Sequence, residues 1–447
     1  MQVTYWLEHA WLDEHVEPDV ALVTTDGRIT QMRTGVEAPP PGATVLRGLT
    51  LPGLANAHSH AFHRALRGTV QVGTGTFWTW RDIMYSVAFH LTPDSYFDLA
   101  RAVYAEMALA GITCVGEFHY LHHQHGGAPY DNPNAMGEAL IAAAQEAGIR
   151  ITLLDTAYLH GGLVRGGYRP LEGVQSRFGD GTADRWYQRW LRLKGGDQVR
   201  IGAALHSVRA FSDRDGYAVF AERMRLVPVH IHLSEQPAEN DACVAVHGRT
   251  PARLLADSGF WGRNTTAVHA THLTGEDIGL LGRSDTTVCM CPTTERDLAD
   301  GIGPAPQLRR AGCLLSLGSD SHAVIDMFEE ARALELDERL RSRTRGHWTA
   351  AQLLRAAGED GHASLGWPDA GRLEAGALAD FTTITLESVR TAGPAPRLGA
   401  ETAVFAATGA DVRHTVVAGR QIVRDGVHQL VDDVPGALSK AIAAARS

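Results

Sequence analysis

The sequence predicts an α/β protein: a (β/α)8 barrel carrying a small β-sandwich domain built from both chain termini. Eight apolar, β-rich segments recur along the middle of the chain, each followed by a stretch able to form a helix. Short strands punctuated by glycine turns occupy both ends. Polar residues gather at the C-terminal ends of the barrel segments: His58 and His60, Glu117 to Tyr120, His206, His232 and Glu235, His269 and His272, and Asp320. In a barrel those ends converge on one face, where the chemistry sits. Periodicity alone leaves a doubly wound open sheet as the alternative. The expected division is residues 1–50 plus 371–447 for the terminal domain and 51–370 for the barrel.

Taken in order, VALVTTDGRITQM reads as a hairpin turning at Asp26-Gly27. The eight barrel segments are read at 50–60, 112–120, 150–159, 199–207, 227–235, 265–272, 286–293 and 313–321. The intervening stretches 95–111 and 134–148 show helical periodicity and stop at Gly111 and Gly148. Segment 167–197 is read as an extended loop with a helix. ADFTTITL and TAVFAATGADVRHTVVAGRQIVRDGV are read as short strands returning to the terminal domain.

Composition narrows the function classes. The 447 residues are 44% hydrophobic and 21% charged, a globular balance, and no apolar run approaches the ~20 residues of a membrane helix. The N-terminus carries no basic stretch followed by an apolar core, so a cytoplasmic location is expected. A net charge of −10 with no basic stripe argues against a nucleic-acid or membrane partner. Five cysteines do not make a disulfide framework and are read as small apolar residues; Cys289 and Cys291 share one strand face. The 22 histidines invite a search for metal ligands.

His58-Ser59-His60 ends the first barrel segment, and alternate strand residues share a face, so both imidazoles can enter the barrel mouth. His232 and Glu235 end the fifth segment, His269 the sixth and Asp320 the eighth. A buried aspartate after an apolar strand needs a metal or strong hydrogen bonds, with a helix N-cap as the plain alternative. His230 is read as a packed residue deeper in its strand, and His272 as a loop or cap residue. Trp78 and Trp80 are read as wall or core.

These residues carry a family resemblance. LPGLANAHSHAFHRALRG, FWTWRDIMY, GEFHYLHH, LHSVRA, PVHIHLSEQ, VHATHLT and SLGSDSH, with GRLEAGALADFTTI on the return, resemble the formimidoylglutamate deiminase branch of the amidohydrolase superfamily. The resemblance implies one zinc held by His58, His60, His232 and Asp320. It implies Glu235 as proton carrier and His269 as a catalytic contact to substrate or nucleophile. Asp320 is implied in catalysis as well as ligation. Arg81, Tyr120, His206 and Arg209 are implied to bind substrate. His63 stands where the family often has glutamine, a departure that alters one implied substrate contact. No lysine stands at the fourth segment to bridge two metals, since Lys194 precedes it.

The implied reaction is zinc-dependent hydrolytic deimination of N-formimino-L-glutamate, in histidine degradation, to N-formyl-L-glutamate and ammonia. A metal with three neutral histidines and a carboxylate makes water reactive near neutrality, and Glu235 can carry a proton to the leaving nitrogen. Arg81 and Arg209 can each hold a carboxylate of this small anionic substrate by a bidentate fork; their plain alternative is pairing within the protein. The competing reading is a deaminase of the same superfamily acting on a nucleobase or nucleoside-like ring. A homodimer is the expected assembly.

Overall fold

The structure, a computed structural model, describes residues 2–73 and 77–446, without the side chains of Phe77 and Trp78; the expectation for Trp78 lies outside the described residues. Eight parallel strands follow one another in sequence order: Leu54–Ser59, Ile112–His119, Arg150–Ala157, Val199–Leu205, Val229–Leu233, Thr265–His269, Thr287–Met290 and Leu315–Leu317. Each sits within a segment read from the sequence. The first and eighth strands meet through a parallel bridge between Ser59 and Asp320, and the Asp320 amide donates to His58 O at 3.0 Å. Asn56 reinforces this seam by donating to Ser319 Oγ at 2.7 Å and accepting from the Ser319 amide at 2.9 Å. Gly318 is required there: a Cβ would lie 2.7 Å from His58 Cβ. The result is a nearly closed barrel.

The terminal sheet is separate and mixed. Its order is Val427–His428, Arg420–Arg424, Val412–Val417, Phe381–Ile384, Thr44–Pro52, Gln2–Leu12, His15–Thr25, Arg28–Arg33. Thr44–Pro52 joins the two chain ends, pairing antiparallel with Phe381–Ile384 and parallel with Gln2–Leu12. Its core holds Leu7, Val20, Leu22, Leu46 and Val416, and the Tyr5 ring meets Phe381 edge-on. The turn at Asp26-Gly27 forms as read, both residues with positive φ.

Two readings need correction. Residues 50–52 end a strand of the terminal sheet, and the first barrel strand starts at Leu54, after Gly53. A Cβ on Gly53 would meet Thr113 Oγ1 at 2.3 Å, so glycine marks the handover between sheets. In the C-terminal stretch read as strands, Gly399–Phe405 is a helix. Its buried residues Ala400, Ala403 and Val404 fall at helical spacing, and this pattern outweighs the β-rich composition.

The long helices appear as read, at Pro93–Leu109 and Ala135–Ala147, the second capped by Gly148 with φ 83°. A final helix, Val434–Ala445, packs against Pro93–Leu109. Below the site the barrel interior is filled by Ala57, Val268, Cys289 and Cys291, and all five cysteines are free and buried. Among the described residues no helix is long and apolar enough to cross a membrane.

Candidate metal centre and its cavity

His58 and His60 point inward from the first strand, His232 from the fifth, and Asp320 follows the eighth; all four are buried and their ligand atoms lie within 4.8 Å of one another. Asp320 Oδ1 lies 3.2 Å from His58 Nε2 and 3.3 Å from His60 Nε2. His58 Nε2 and His232 Nε2 face each other at 3.1 Å.

The donor chemistry fits a metal. His60 Nδ1 donates to Phe118 O at 2.8 Å and His232 Nδ1 to His206 O at 3.0 Å. A carbonyl can only accept, so those nitrogens carry the protons and both Nε2 lone pairs aim at the shared point. Burial depresses His58 to about 3 and His232 well below the usual imidazole range, which keeps both in the neutral, ligating form. Burial opposes the charge on Asp320, but His58 and His60 outweigh it and hold the carboxyl well below its ordinary value. Two imidazole lone pairs fixed by their carbonyl partners, a third neutral imidazole and a carboxylate oxygen make a site for a divalent cation.

The reactive groups surround this point. His269 Nε2 lies 3.8 Å from Asp320 Oδ2 and 4.0 Å from Glu235 Oε1. Burial alone would depress His269, but Glu235, Glu295 and Asp320 together raise it to about 10. Ser234, His269 and Asp320 have φ of 50°, 67° and 40°, a region costly for side-chain-bearing residues. Such strain, about 1–3 kcal/mol each, turns the strand ends so that their side chains meet.

The cavity above the ligands is lined by every sequence-derived substrate residue: His63, Arg81, Tyr120, His206, Arg209 and His269. His63 Nε2 lies 3.2 Å from the Tyr120 hydroxyl, and its ring meets Trp80 edge-on, so Trp80 is a wall as read. Arg209 both faces the cavity and pairs within the protein: its Nη2 lies 3.3 Å from Glu235 Oε2 and its Nε 3.3 Å from Glu239 Oε2. His230 is fully buried, with Nε2 3.3 Å from Ser364 O, a packed residue as read; His272 follows the sixth strand as a loop residue.

The roles of several participants escaped the sequence reading. Glu239 lies four residues beyond Glu235, in the first turn of the helix Pro237–His247, fully buried, where only that spacing hints at it. Glu295 approaches His269 Nδ1 at 3.5 Å while accepting from the Cys291 amide at 2.9 Å. Glu117 accepts from the Ala61 amide at 2.7 Å and Ser59 Oγ at 2.8 Å, bracing the turn that carries His60. Burial pushes Glu117 up to about 7.

A second group, His119, His122 and Asp155, also has ligand-like spacing. Arg189 grips the Asp155 carboxylate with both Nη atoms, at 2.8 and 3.0 Å, and Trp186 donates to it at 2.8 Å. A cation there would face the guanidinium, so this group is an internal clamp. Elemental analysis of the purified protein is therefore expected to give one divalent metal per chain; two per chain in active protein would overturn this.

The comparisons with known proteins agree with this geometry. The model of the amidohydrolase family matches residues 49–422. A protein named formimidoylglutamate deiminase, from Pseudomonas aeruginosa, is 36% identical over 419 residues, 91% of each chain. An 8-oxoguanine deaminase from the same organism is 30% identical over 92% of this chain and 91% of its own. The crystal structure of an amidohydrolase from Brucella melitensis superimposes with a TM-score of 0.91 at 32% identity, covering 100% of both chains.

Proposed function

Because the chain belongs to the amidohydrolase family and is a deaminase within it, we propose that it uses a single zinc to hydrolyse N-formimino-L-glutamate to N-formyl-L-glutamate and ammonia. The observation that carries this reading is that Arg81 and Arg209 line the same cavity as His60, His232 and Asp320 of the ligand group. The substrate's two carboxylates need two such cations in a chain whose net charge is −10. The 36% identity to the Pseudomonas aeruginosa formimidoylglutamate deiminase supports the same choice.

When bound, a divalent cation supplies Lewis acidity, which makes water a competent nucleophile near neutral pH. His58, His60, His232 and Asp320 would hold it. The substrate's protonated amidine offers an electrophilic carbon, and addition of water's oxygen gives a tetrahedral carbon bearing the amino group to be lost. Glu235 takes a proton from the attacking water and returns it to that nitrogen, which leaves as ammonia while the hydroxyl gives its remaining proton to Asp320 and the C–O bond becomes the formyl carbonyl. His269, between Glu235 and Asp320, is placed to hold the reacting oxygen. Glu239 and Glu235 flank Arg209 and fix its direction.

One observation favours a ring substrate: Trp80, Tyr85, Tyr120, Tyr158 and Phe178 also line the cavity, and stacking surfaces of that kind suit a nucleobase. Ammonia release decides. Metal-replete protein is expected to act on N-formimino-L-glutamate in preference to guanine, 8-oxoguanine, cytosine and adenosine. Turnover of a ring compound with no release from N-formimino-L-glutamate would replace this reading with the second.

A further inference from the structure

The roof of the cavity combines two parts of the chain. One is the helix Phe77–His90, which carries Trp80, Arg81 and Tyr85. The other is the excursion between the third barrel strand and the helix Ala183–Trp190, which carries Gly161, Gly162 and Phe178. Within the excursion a 3-10 turn, Gly173–Arg177, buries both Gln175 and Arg177. The Arg177 guanidinium donates to the carbonyls of Ala88, Phe89 at 2.9 Å, Leu91 at 2.7 Å and His123 at 2.8 Å. It thus closes the C-terminal end of the helix and locks helix and excursion into one wall.

Gln175 uses that wall to orient two tyrosines. Its Nε2 donates its two hydrogens to the Tyr85 hydroxyl oxygen and to Gly161 O, each at 3.0 Å, and lies 3.4 Å from the Tyr158 hydroxyl oxygen. An amide nitrogen cannot accept, so neither tyrosine can donate its proton there and both protons must point elsewhere. Among the described residues neither hydroxyl proton has a protein acceptor. Both tyrosines line the cavity beside Arg81 and Arg209. A pair of O–H donors next to guanidinium groups matches a carboxylate.

We propose that Tyr85 and Tyr158, oriented by Gln175, bind the side-chain carboxylate of the substrate together with Arg81, which lies over the Tyr85 ring, a subsite that rests on the reading above of an N-formimino dicarboxylate. Arg209 touches Glu235, the proton carrier, and so lies next to the reacting nitrogen. The α-carboxylate, the nearer of the two at about four bonds from that nitrogen, goes to Arg209. The side-chain carboxylate, three carbons further along, reaches the tyrosine wall. Gln175 is a positioning residue.

Tyr85→Phe/Tyr158→Phe and Gln175→Met are the test variants, each checked for an unchanged melting temperature and metal content. For both, kcat/KM on N-formimino-L-glutamate is expected to fall about tenfold to a hundredfold through KM, with kcat within about threefold, as loss of hydrogen bonds to a charged group predicts. N-formimino-glycine, which lacks the side-chain carboxylate, should change less than about threefold. Equal losses on both substrates, or no loss on the first, would overturn the proposal. Glutarate binding, measured by calorimetry, needs no turnover. Wild type should bind it and the variants should bind about tenfold to a hundredfold more weakly. If wild type fails to release ammonia from N-formimino-L-glutamate but shows this glutarate pattern, the reaction is wrong and the subsite stands. If glutarate does not bind wild type, or binds all forms alike, the subsite is wrong.

Discussion

Glu235→Gln is expected to keep its metal and lose about 10²–10⁴-fold in kcat. Glutamine preserves the shape of the side chain and can still meet Arg209, which lies 3.3 Å from Glu235 Oε2. It cannot accept the proton of the attacking water or hand it to the departing nitrogen. Glu235 is not one of the four grouped ligands, so metal content should match wild type. Ammonia release and elemental analysis on one preparation check both halves. A wild-type rate at full metal would reduce Glu235 to a partner of Arg209.

Arg209→Met is expected to lower kcat/KM for N-formimino-L-glutamate by roughly 30-fold to several thousandfold, since leaving a bound carboxylate unpaired costs on the order of 2–5 kcal/mol. N-formimino-glycine should suffer alike, because both compounds carry the α-carboxylate proposed above as the partner of Arg209. The substitution also strips Glu239 of its cation, and that carboxyl is fully buried. Arg209→Met/Glu239→Gln removes the stranded carboxylate and should leave the kinetic loss in place. Recovery of activity in the double variant would show that Arg209 serves Glu239 and not the substrate.

The barrel and the metal group were legible for the same reason. A parallel strand covered on both faces must be apolar, so a polar residue at its end is conspicuous. His58, His60, His232 and Asp320 stand out against Ala57, Ile231 and Leu317. Glu117 and His119 lie in an equally apolar strand, but their parity turns them toward the helices, so position along the strand did not reveal what they contact. Glu239 and Gln175 sit on a helix and a turn, where polar residues are ordinary and only the fold brings them against the cavity residues Arg209 and Tyr85. The Gly399–Phe405 helix was misread because alanine and valine suit a strand in composition, while only their spacing marks a helix.

The terminal sheet has a consequence for how this chain reaches its fold. Strand Thr44–Pro52 must pair with Phe381–Ile384, and the whole barrel is encoded between them. During synthesis at about 5–20 residues per second, the first strands wait on the order of 15–65 s for that partner. Through this interval the edge of Thr44–Pro52 offers unpaired amides and carbonyls, a template for strands of other nascent chains. Refolding from denaturant faces the same delay in another form, because pairing so distant in sequence must follow closure of a very long loop. Slow appearance of the terminal sheet, after the barrel, and concentration-dependent losses to aggregation are the behaviour this topology imposes.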